Sequence, residues 1–343
     1  MSRPAPYRLA INGYGRIGQC VLRALYENGY RDHLQVVAIN ELSDLDTIAH
    51  LTKYDSTHGR FHGEVAVKDG ALEVNGDRIE VIRHPEPADL PWRELAIDLV
   101  LECSGAFTDR ATAELHVQAG ARRLLFSQPA EADVDRTVVY GINEHSLSAD
   151  DRIVSNASCT TNCIVPLIKV LDDALGVEFG TTTTIHAAMN DQPVIDAYHQ
   201  QDLRLTRSAL QNIVPVDTGL ARGIERLLPH LKDRFTAAAM RVPTTNVSII
   251  DMTLNVRAQT TVAKVNELLK QESRNGLKGV LGYTDELLAS TDFNHDTHSG
   301  IVDGGLTRVS GGQMVKVFCW FDNEWGFANR MLDVSSVWLR RAG

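Results

Sequence analysis

The chain has 343 residues, of which 43% are hydrophobic and 23% are charged. Because this length exceeds what one ordinary core contains, the composition predicts a globular protein with two domains. The net charge of −10 at pH 7 argues against nucleic-acid and membrane partners, since both are anionic. No apolar stretch approaches the ~18 residues of a membrane helix, and the start lacks a secretory signal. We therefore expect a cytoplasmic protein.

The first half of the chain alternates short β-branched runs with apolar residues at helical spacing. A strand at 8–11, a helix at 17–28 and a strand at 36–40 are predicted first. Further strands are predicted at 97–101, 123–126, 137–141 and 153–155. Such alternation is typical of βαβ units on a parallel sheet, so we predict an α/β first domain that is doubly wound.

A G-x-G-x-x-G pattern lies between the first predicted strand and the first predicted helix, at Gly13, Gly15 and Gly18. Gly13 permits a tight turn, Gly15 lets a pyrophosphate approach the backbone, and Gly18 lets helix and strand pack closely. The pyrophosphate would lie at the positive end of the helix. Glu41, after the second strand, can bind ribose hydroxyls and would repel a 2′-phosphate, which favours NAD as the cofactor. The alternative is a glycine-rich turn without a ligand.

After about residue 160 the predicted strands become longer and alternate more clearly, as strands with one solvated face do. The predicted strands lie at 180–186, 236–242, 248–257 and 313–321, and the predicted helices at 163–174, 260–275 and 324–341. We therefore predict an α+β second domain with a mainly antiparallel sheet. The polar stretch 191–217 is long for a connection, which indicates a functional loop or an interface.

Cys159 is the candidate nucleophile, because it follows a short strand and precedes an apolar helix. The dipole of a helix N-terminus favours a thiolate, and its N–H groups can stabilise an oxyanion. His186, at the end of a predicted strand, is the candidate general base. Each residue could instead be structural, as a buried thiol and a hydrogen-bonded imidazole. Cys163 lies four residues from Cys159, but no second ligand pair accompanies them, so we predict no metal site.

Four motifs in order give the chain a resemblance to a known family. They are Ile11-Asn12-Gly13-Tyr14-Gly15-Arg16-Ile17-Gly18, Ser158-Cys159-Thr160-Thr161-Asn162-Cys163, Arg241-Val242-Pro243-Thr244 and Trp320-Phe321-Asp322-Asn323-Glu324-Trp325-Gly326. With them the sequence resembles the glyceraldehyde-3-phosphate dehydrogenase family. The resemblance implies an NAD-binding Rossmann domain at 1–158, with the helix 324–343 packing back on it, and a catalytic domain at 159–323.

The resemblance also implies roles for single residues, beginning with Cys159 as nucleophile and His186 as its base. In the cofactor site, Arg16 and Ile17 would line the dinucleotide loop, Ser127 would lie near the nicotinamide, and Asn323 would hold its amide. Arg241 would bind the phosphate of a small phosphorylated aldose substrate. The residues that match other phosphate contacts of the family are Ser158, Thr160, Arg207, Thr218 and Gly219. The family further implies a homotetramer, with the loop 191–217 at a subunit interface.

Some residues depart from the usual glyceraldehyde-phosphate pattern. Met189 stands where a threonine usually helps to hold the substrate phosphate, and Asp217 adds an anion beside Thr218. Together with Asn40-Glu41-Leu42, Tyr140-Gly141-Ile142-Asn143 and Asp292-Phe293-Asn294-His295-Asp296, these features resemble the erythrose-4-phosphate dehydrogenase branch. The resemblance thus implies NAD-dependent oxidation of D-erythrose 4-phosphate to 4-phosphoerythronate, in pyridoxal phosphate (vitamin B6) biosynthesis. The alternatives are the phosphorylating glyceraldehyde-3-phosphate dehydrogenase of glycolysis and a non-catalytic NAD-binding scaffold.

Overall fold

A computed structural model describes residues 6–199 and 202–342 of the chain. The chain divides into two compact units. The first unit runs to Ser158 and includes the residues from Phe327 onward, whereas the second comprises Cys159–Gly326. Among the described residues, no helix combines the length and the apolar character needed to cross a bilayer.

The first unit begins with alternating strands and helices, interrupted by a run of short strands. Its strands are β1 (Tyr7–Asn12), β2 (Leu34–Asn40), β3 (Tyr54–Asp55), β4 (Gly59–Arg60), β5 (Val65–Lys68), β6 (Ala71–Val74), β7 (Asp77–Ile82), β8 (Leu99–Glu102), β9 (Leu124–Phe126), β10 (Arg136–Thr137) and β11 (Ile153–Ser155). Its first helices are α1 (Arg16–Glu27), α2 (Leu45–Lys53) and α3 (Arg110–Gln118).

The main sheet of the first unit has the strand order β10-β11-β9-β8-β1-β2-β7-β6-β5. From β10 to β7 neighbouring strands run parallel, and β7, β6 and β5 form an antiparallel meander at the other end. Since β1 and β2 are central and nearly fully buried, their apolar side chains face helices and core on both sides. This arrangement confirms the predicted Rossmann-type domain.

The second unit is built around a second sheet. Its strands are β12 (Val177–Ala187), β13 (Val214–Val216), β14 (Phe235–Val242), β15 (Ser248–Val256), β16 (Leu281–Thr284), β17 (Gly300–Asp303), β18 (Arg308–Ser310) and β19 (Met314–Phe321). Its helices are α4 (Cys159–Leu175), α5 (Leu220–Leu227) and α6 (Val262–Arg274). The strand order is β13-β14-β12-β15-β19-β17-β16, with β18 also paired to β19. Helix α4 packs on β12, β15, β17 and β19.

Most strand pairs of this second sheet are antiparallel, but β12 and β14 run parallel, and so do β16 and β17. The strand β15 alternates buried and half-buried residues along its whole length, as expected for one covered face. A second sheet domain, mainly antiparallel, is therefore confirmed. The parallel pairing of β12 with β14 matters for the site, because it brings the ends of these two strands to the same edge.

The last helix, α7 (Trp325–Ala342), begins in the second unit and continues in the first. Within the first unit it is tied to the segment that follows α1. Tyr30 donates a hydrogen bond to Asp333 at 2.8 Å, and Asn28 donates one to Asn329 at 2.6 Å. The His33 ring and the Ser336 hydroxyl lie 2.8 Å apart. These polar contacts fix the register of α7 beside the amino-terminal segment.

Several elements were not predicted from the sequence. Among the strands between 54 and 82, β3 and β4 have two residues each and β5 is largely exposed, so these three lack a long apolar pattern. The predicted strand at 137–141 is only the two-residue β10, because the chain turns after Thr137 and Asn143 binds the carbonyl of that residue. In the loop 191–217, the described part contains a 3₁₀ turn at Leu203–Thr206 and the strand β13.

Candidate active site

The glycine loop of the first unit has the geometry that a pyrophosphate requires. Gly13 has φ +86°, and a Cβ there would overlap the backbone of Ser104. A Cβ at Gly18 would overlap the Gly13 carbonyl, whereas one at Gly15 would meet nothing within 4 Å. Gly15 precedes α1 and supplies no side chain to cap it. The loop therefore leaves space beside the N–H groups that begin a helix, which fits the phosphates of NAD.

Glu41 lies directly after β2, on the carboxyl edge of the parallel strands. Its carboxylate accepts hydrogen bonds from the backbone N–H of Tyr14 at 2.8 Å and of Leu42 at 2.7 Å. The Tyr14 contact ties the predicted ribose-binding residue to the glycine loop. Ser127 follows β9 at the same edge, where its N–H bonds the Glu102 carbonyl at 2.9 Å.

Arg16 and Ile17 are the first two residues of α1 and are half-buried. The Arg16 guanidinium makes an ion pair with Asp55, with Nη1 and Oδ2 2.5 Å apart. Arg16, together with backbone N–H groups, lowers the pKa of Asp55 to about 2 even though burial acts in the opposite direction. Arg16 therefore holds the buried carboxylate at the end of β3 against the start of α1.

A buried polar network beneath the glycine loop was not predicted from the sequence. The Asn40 amide donates to Asn12 at 2.7 Å, and the Asn12 amide donates to Glu102 at 2.5 Å. Glu102 also accepts the Ser104 N–H at 2.8 Å. Burial raises the pKa of this carboxyl. The network joins the ends of β2, β1 and β8, so it positions Gly13 against Ser104. Its only sequence signal is a polar residue at the end of each apolar strand.

In the second unit, the structure brings Cys159 and His186 together. Cys159 is the first residue of α4 and is half-buried, and His186 lies near the end of β12. The Cys159 Sγ and His186 Nε2 atoms are 3.8 Å apart. His186 Nδ1 lies 2.8 Å from the carbonyl oxygen of Ala187. Since a carbonyl only accepts, Nδ1 carries the proton and Nε2 of the neutral ring faces the sulfur as an acceptor.

The pKa shifts of this pair differ from the sequence prediction of a thiolate. Burial raises the pKa of the Cys159 thiol to about 11, while the Thr160 hydroxyl and backbone N–H groups at the helix start lower it less. Burial also lowers the pKa of His186. At neutral pH the pair is thus a thiol beside a neutral imidazole. The ring can accept the thiol proton when the sulfur attacks, which is what general-base activation requires.

Arg241 lies on β14, directly opposite His186 in the parallel pair with β12. It is nearly buried, and its two terminal nitrogens contact the two carboxylate oxygens of Asp191 at 2.7 and 2.9 Å. Its Nη2 atom also lies 3.6 Å from the Met189 sulfur. The Arg241 guanidinium is therefore a cation next to His186, the candidate base. This is the position expected for a residue that binds the substrate phosphate. The Asp191 contact was not predicted.

The other predicted phosphate contacts lie in three places. Gly219 immediately precedes α5, and the Thr218 hydroxyl accepts the Leu220 N–H at 3.2 Å. Helix α5 packs on α4, which begins at Cys159 and Thr160, and a Cβ at Gly223 would lie 3.0 Å from the Thr161 hydroxyl.

Arg207, in contrast, is 59% exposed and pairs with Asp196, which is 58% exposed. Ser158 is the last residue of the first unit.

Asn323 follows β19 and is connected to the catalytic strand through Ser248. The buried Ser248 hydroxyl donates to the Asn323 side-chain oxygen at 2.9 Å and accepts the Ala187 N–H at 3.0 Å. With its oxygen engaged, the Asn323 amide keeps its N–H₂ group for another acceptor, as binding of a nicotinamide amide would require. Ser248 was missed from the sequence, where it is simply the first residue of an apolar strand.

Comparison with known families agrees with this geometry. Residues 7–110 match "Glyceraldehyde 3-phosphate dehydrogenase, NAD binding domain", and residues 158–323 match "Glyceraldehyde 3-phosphate dehydrogenase, C-terminal domain". The chain belongs to the glyceraldehyde-3-phosphate dehydrogenase family. It is an NAD-dependent oxidoreductase with an NAD-binding first unit. The Cys159–His186 pair lies within the match to the C-terminal domain of this family, and the glycine loop lies within the match to the NAD-binding domain.

Proposed function

We propose that this protein oxidises D-erythrose 4-phosphate to 4-phosphoerythronate, with NAD as the electron acceptor and a thioester on Cys159. The observation that carries the proposal is the 3.8 Å approach of Cys159 Sγ to His186 Nε2, with the other ring nitrogen anchored on a carbonyl. A nucleophile, an oriented base and a neighbouring cation are the groups that oxidation of a phosphorylated aldehyde needs.

The side chains have successive tasks in this reaction. As the Cys159 sulfur attacks the aldehyde carbon, His186 takes the thiol proton and returns it to the carbonyl oxygen, which gives a hemithioacetal. The backbone N–H of Cys159, at the helix start, stabilises charge on that oxygen. Bound NAD would supply the acceptor for the hydride that leaves this carbon. His186 takes the hydroxyl proton in the same step, and water then cleaves the thioester to the acid and the thiol.

The choice of erythrose 4-phosphate is supported by the surroundings of Arg241. The residue at the usual threonine position, Met189, contacts the guanidinium through sulfur, which is only a weak acceptor and donates no hydrogen bond. Asp191 adds a carboxylate to the same guanidinium. At the other expected phosphate site, Asp217 adds an anion beside Thr218, which weakens binding of a second, free phosphate. Water as the deacylating nucleophile needs no such site. The product would serve pyridoxal phosphate synthesis.

A specific observation favours a second candidate, phosphorylating glyceraldehyde-3-phosphate dehydrogenase. Thr218 and Gly219 stand at the start of α5, and α5 packs on the helix that carries Cys159 and Thr160. These are the residues that match the family's inorganic-phosphate site. The third candidate, a non-catalytic scaffold, does not explain why the His186 imidazole is held beside Cys159.

The loop 191–217 supports the proposal of a homotetramer. Within its described residues, large apolar side chains are exposed, at Val194, Ile195, Tyr198, Leu203, Leu210 and Ile213. Such a concentration on one loop is typical of an interface. Sedimentation of the purified protein tests the assembly: the mass of four chains is expected, and a monomer at micromolar concentration would contradict it. A cytoplasmic location belongs to the same proposal.

The experiment that separates the candidates is a substrate comparison with phosphate varied. NADH formation is measured with erythrose 4-phosphate and with glyceraldehyde 3-phosphate, each with and without inorganic phosphate. We expect erythrose 4-phosphate to be preferred and phosphate to be dispensable. A strict need for phosphate, together with a strong preference for glyceraldehyde 3-phosphate, would assign the second candidate. The variant Met189→Thr should move the preference towards glyceraldehyde 3-phosphate, because it restores a hydroxyl donor.

A further inference from the structure

The Arg241 guanidinium is already occupied by protein groups on one edge. It has five N–H donors. Two of them face the carboxylate of Asp191 in a bidentate pair, and a third faces the Met189 sulfur. Bidentate pairing is the arrangement that guanidinium groups also make with phosphate. Asp191 therefore holds the edge that an incoming phosphate would otherwise take.

The two partners differ in burial, and this difference decides what the pair does. The Arg241 side chain is 10% exposed, whereas that of Asp191 is 46% exposed. Burial limits the movement of the arginine, which is also fixed by the register of β14 against β12. The carboxylate, on the segment after β12, keeps half its surface in water and can be solvated when it leaves. The pair can thus open by movement of Asp191 alone.

We propose that Asp191 is a specificity-determining residue that competes with anions for Arg241. Free inorganic phosphate must displace this carboxylate or bind beside it, and both cost affinity through like-charge repulsion. A phosphate tethered to an aldehyde that is engaged at Cys159 has a much higher effective concentration, so it can compete. The inference rests on the proposed role of Arg241 as the substrate-phosphate site. It explains how one site can accept a sugar phosphate and still discriminate against inorganic phosphate.

The same carboxylate affects the base. Burial lowers the pKa of His186; Arg241 adds to this, while Asp191 and Glu324 act in the opposite direction. The charged or titratable groups that face His186 are Cys159 on α4, Arg241 on β14, Asp191 after β12 and Glu324 before α7. Removing the Asp191 charge should therefore lower the pKa of His186 further, and the acidic limb of the rate profile should move to lower pH.

The test is calorimetric titration of the full-length protein with inorganic phosphate as the probe. Asp191→Asn is expected to bind phosphate about tenfold more tightly than the unchanged protein, a screened estimate for a half-exposed charge. The gain should vanish in the double variant Asp191→Asn with Arg241→Ala. The matched control is Asp251→Asn, which removes the same charge from a partly exposed pair with Lys316 in the same sheet, and it should leave phosphate affinity unchanged.

Two results would overturn the inference. Phosphate binding that is unchanged or weaker in Asp191→Asn would mean that the carboxylate only orients Arg241. An equal gain in Asp251→Asn would mean that net charge alone is responsible. The pH–rate profile gives a second readout, since a purely structural role of Asp191 would not move the acidic limb downward. Because phosphate binding is measured without any aldehyde, a failure of the proposed substrate is distinguished from a failure of this inference.

Discussion

The dinucleotide loop is formed mainly by backbone groups, whereas the reactive centre around Cys159 is formed by side chains. In the first unit, the dinucleotide loop is shaped by main chain: the positive φ of Gly13, the close approach at Gly18 and the open space at Gly15. In the second unit, the reactive centre consists of side chains, with Cys159, His186 and Arg241 on three elements. A main-chain site tolerates little change of backbone shape, whereas a side-chain site depends on the partners of each group. Substitutions can test this difference directly.

The largest effect is expected for Cys159→Ser. A hydroxyl is a much poorer nucleophile than a thiolate, so aldehyde oxidation should fall by about 10⁴-fold or more. Binding of NAD, measured by fluorescence titration, should change little, because the glycine loop lies in the first unit. Oxidation at near-normal rates would remove Cys159 from the reaction.

His186→Asn should be the next most damaging change. Without an acceptor at Nε2, the rate should fall by roughly 10²–10⁴-fold. Alkylation of Cys159 by iodoacetamide at pH 7–8 should also slow, since the thiol pKa is raised and the base that removes its proton is gone. Mapping of the alkylated peptide identifies the cysteine. Alkylation as fast as in the unchanged protein would show that His186 does not activate the sulfur.

The glycine loop offers a matched pair of variants. Gly13→Ala should lower the free energy of unfolding by about 1–3 kcal/mol, because a Cβ would strain the backbone and collide with Ser104. Gly15→Ala should leave the melting temperature nearly unchanged, yet weaken NAD binding about tenfold or more by filling the space for the pyrophosphate. Equal stability losses in both variants, with NAD binding retained, would contradict the proposed loop geometry.

The smallest effect is expected for Ser248→Ala. The change leaves the Ala187 N–H and the Asn323 oxygen without this partner, at a cost of about 1–3 kcal/mol. We expect a higher KM for NAD, because the Asn323 amide loses its fixed orientation, with the alkylation rate of Cys159 retained. An unchanged KM would exclude Ser248 as a positioning residue.

The same comparison explains what the sequence could predict. The dinucleotide loop can be predicted from one short stretch of sequence, because Gly13, Gly15 and Gly18 act through local backbone shape. Cys159 and His186 were recognised because each stands at the end of a predictable element. The Asp191–Arg241 pair spans 50 positions and forms only when β12 and β14 pair in parallel. The family resemblance alone implies a place for Arg207 in the phosphate pocket, and the structure pairs it with Asp196 at an exposed position. Which carboxylate pairs with each arginine depends on how distant parts of the chain pack, and a short sequence motif does not contain this information.

The most direct test of the central claim is to trap the acyl enzyme. The protein is mixed with NAD and erythrose 4-phosphate, quenched in acid within milliseconds to seconds, and digested for mass spectrometry. We predict an acyl adduct on the peptide that contains Cys159, formed together with a burst of NADH and strongly reduced in His186→Asn. A burst of NADH without any adduct on Cys159, or an adduct on another cysteine, would contradict the account.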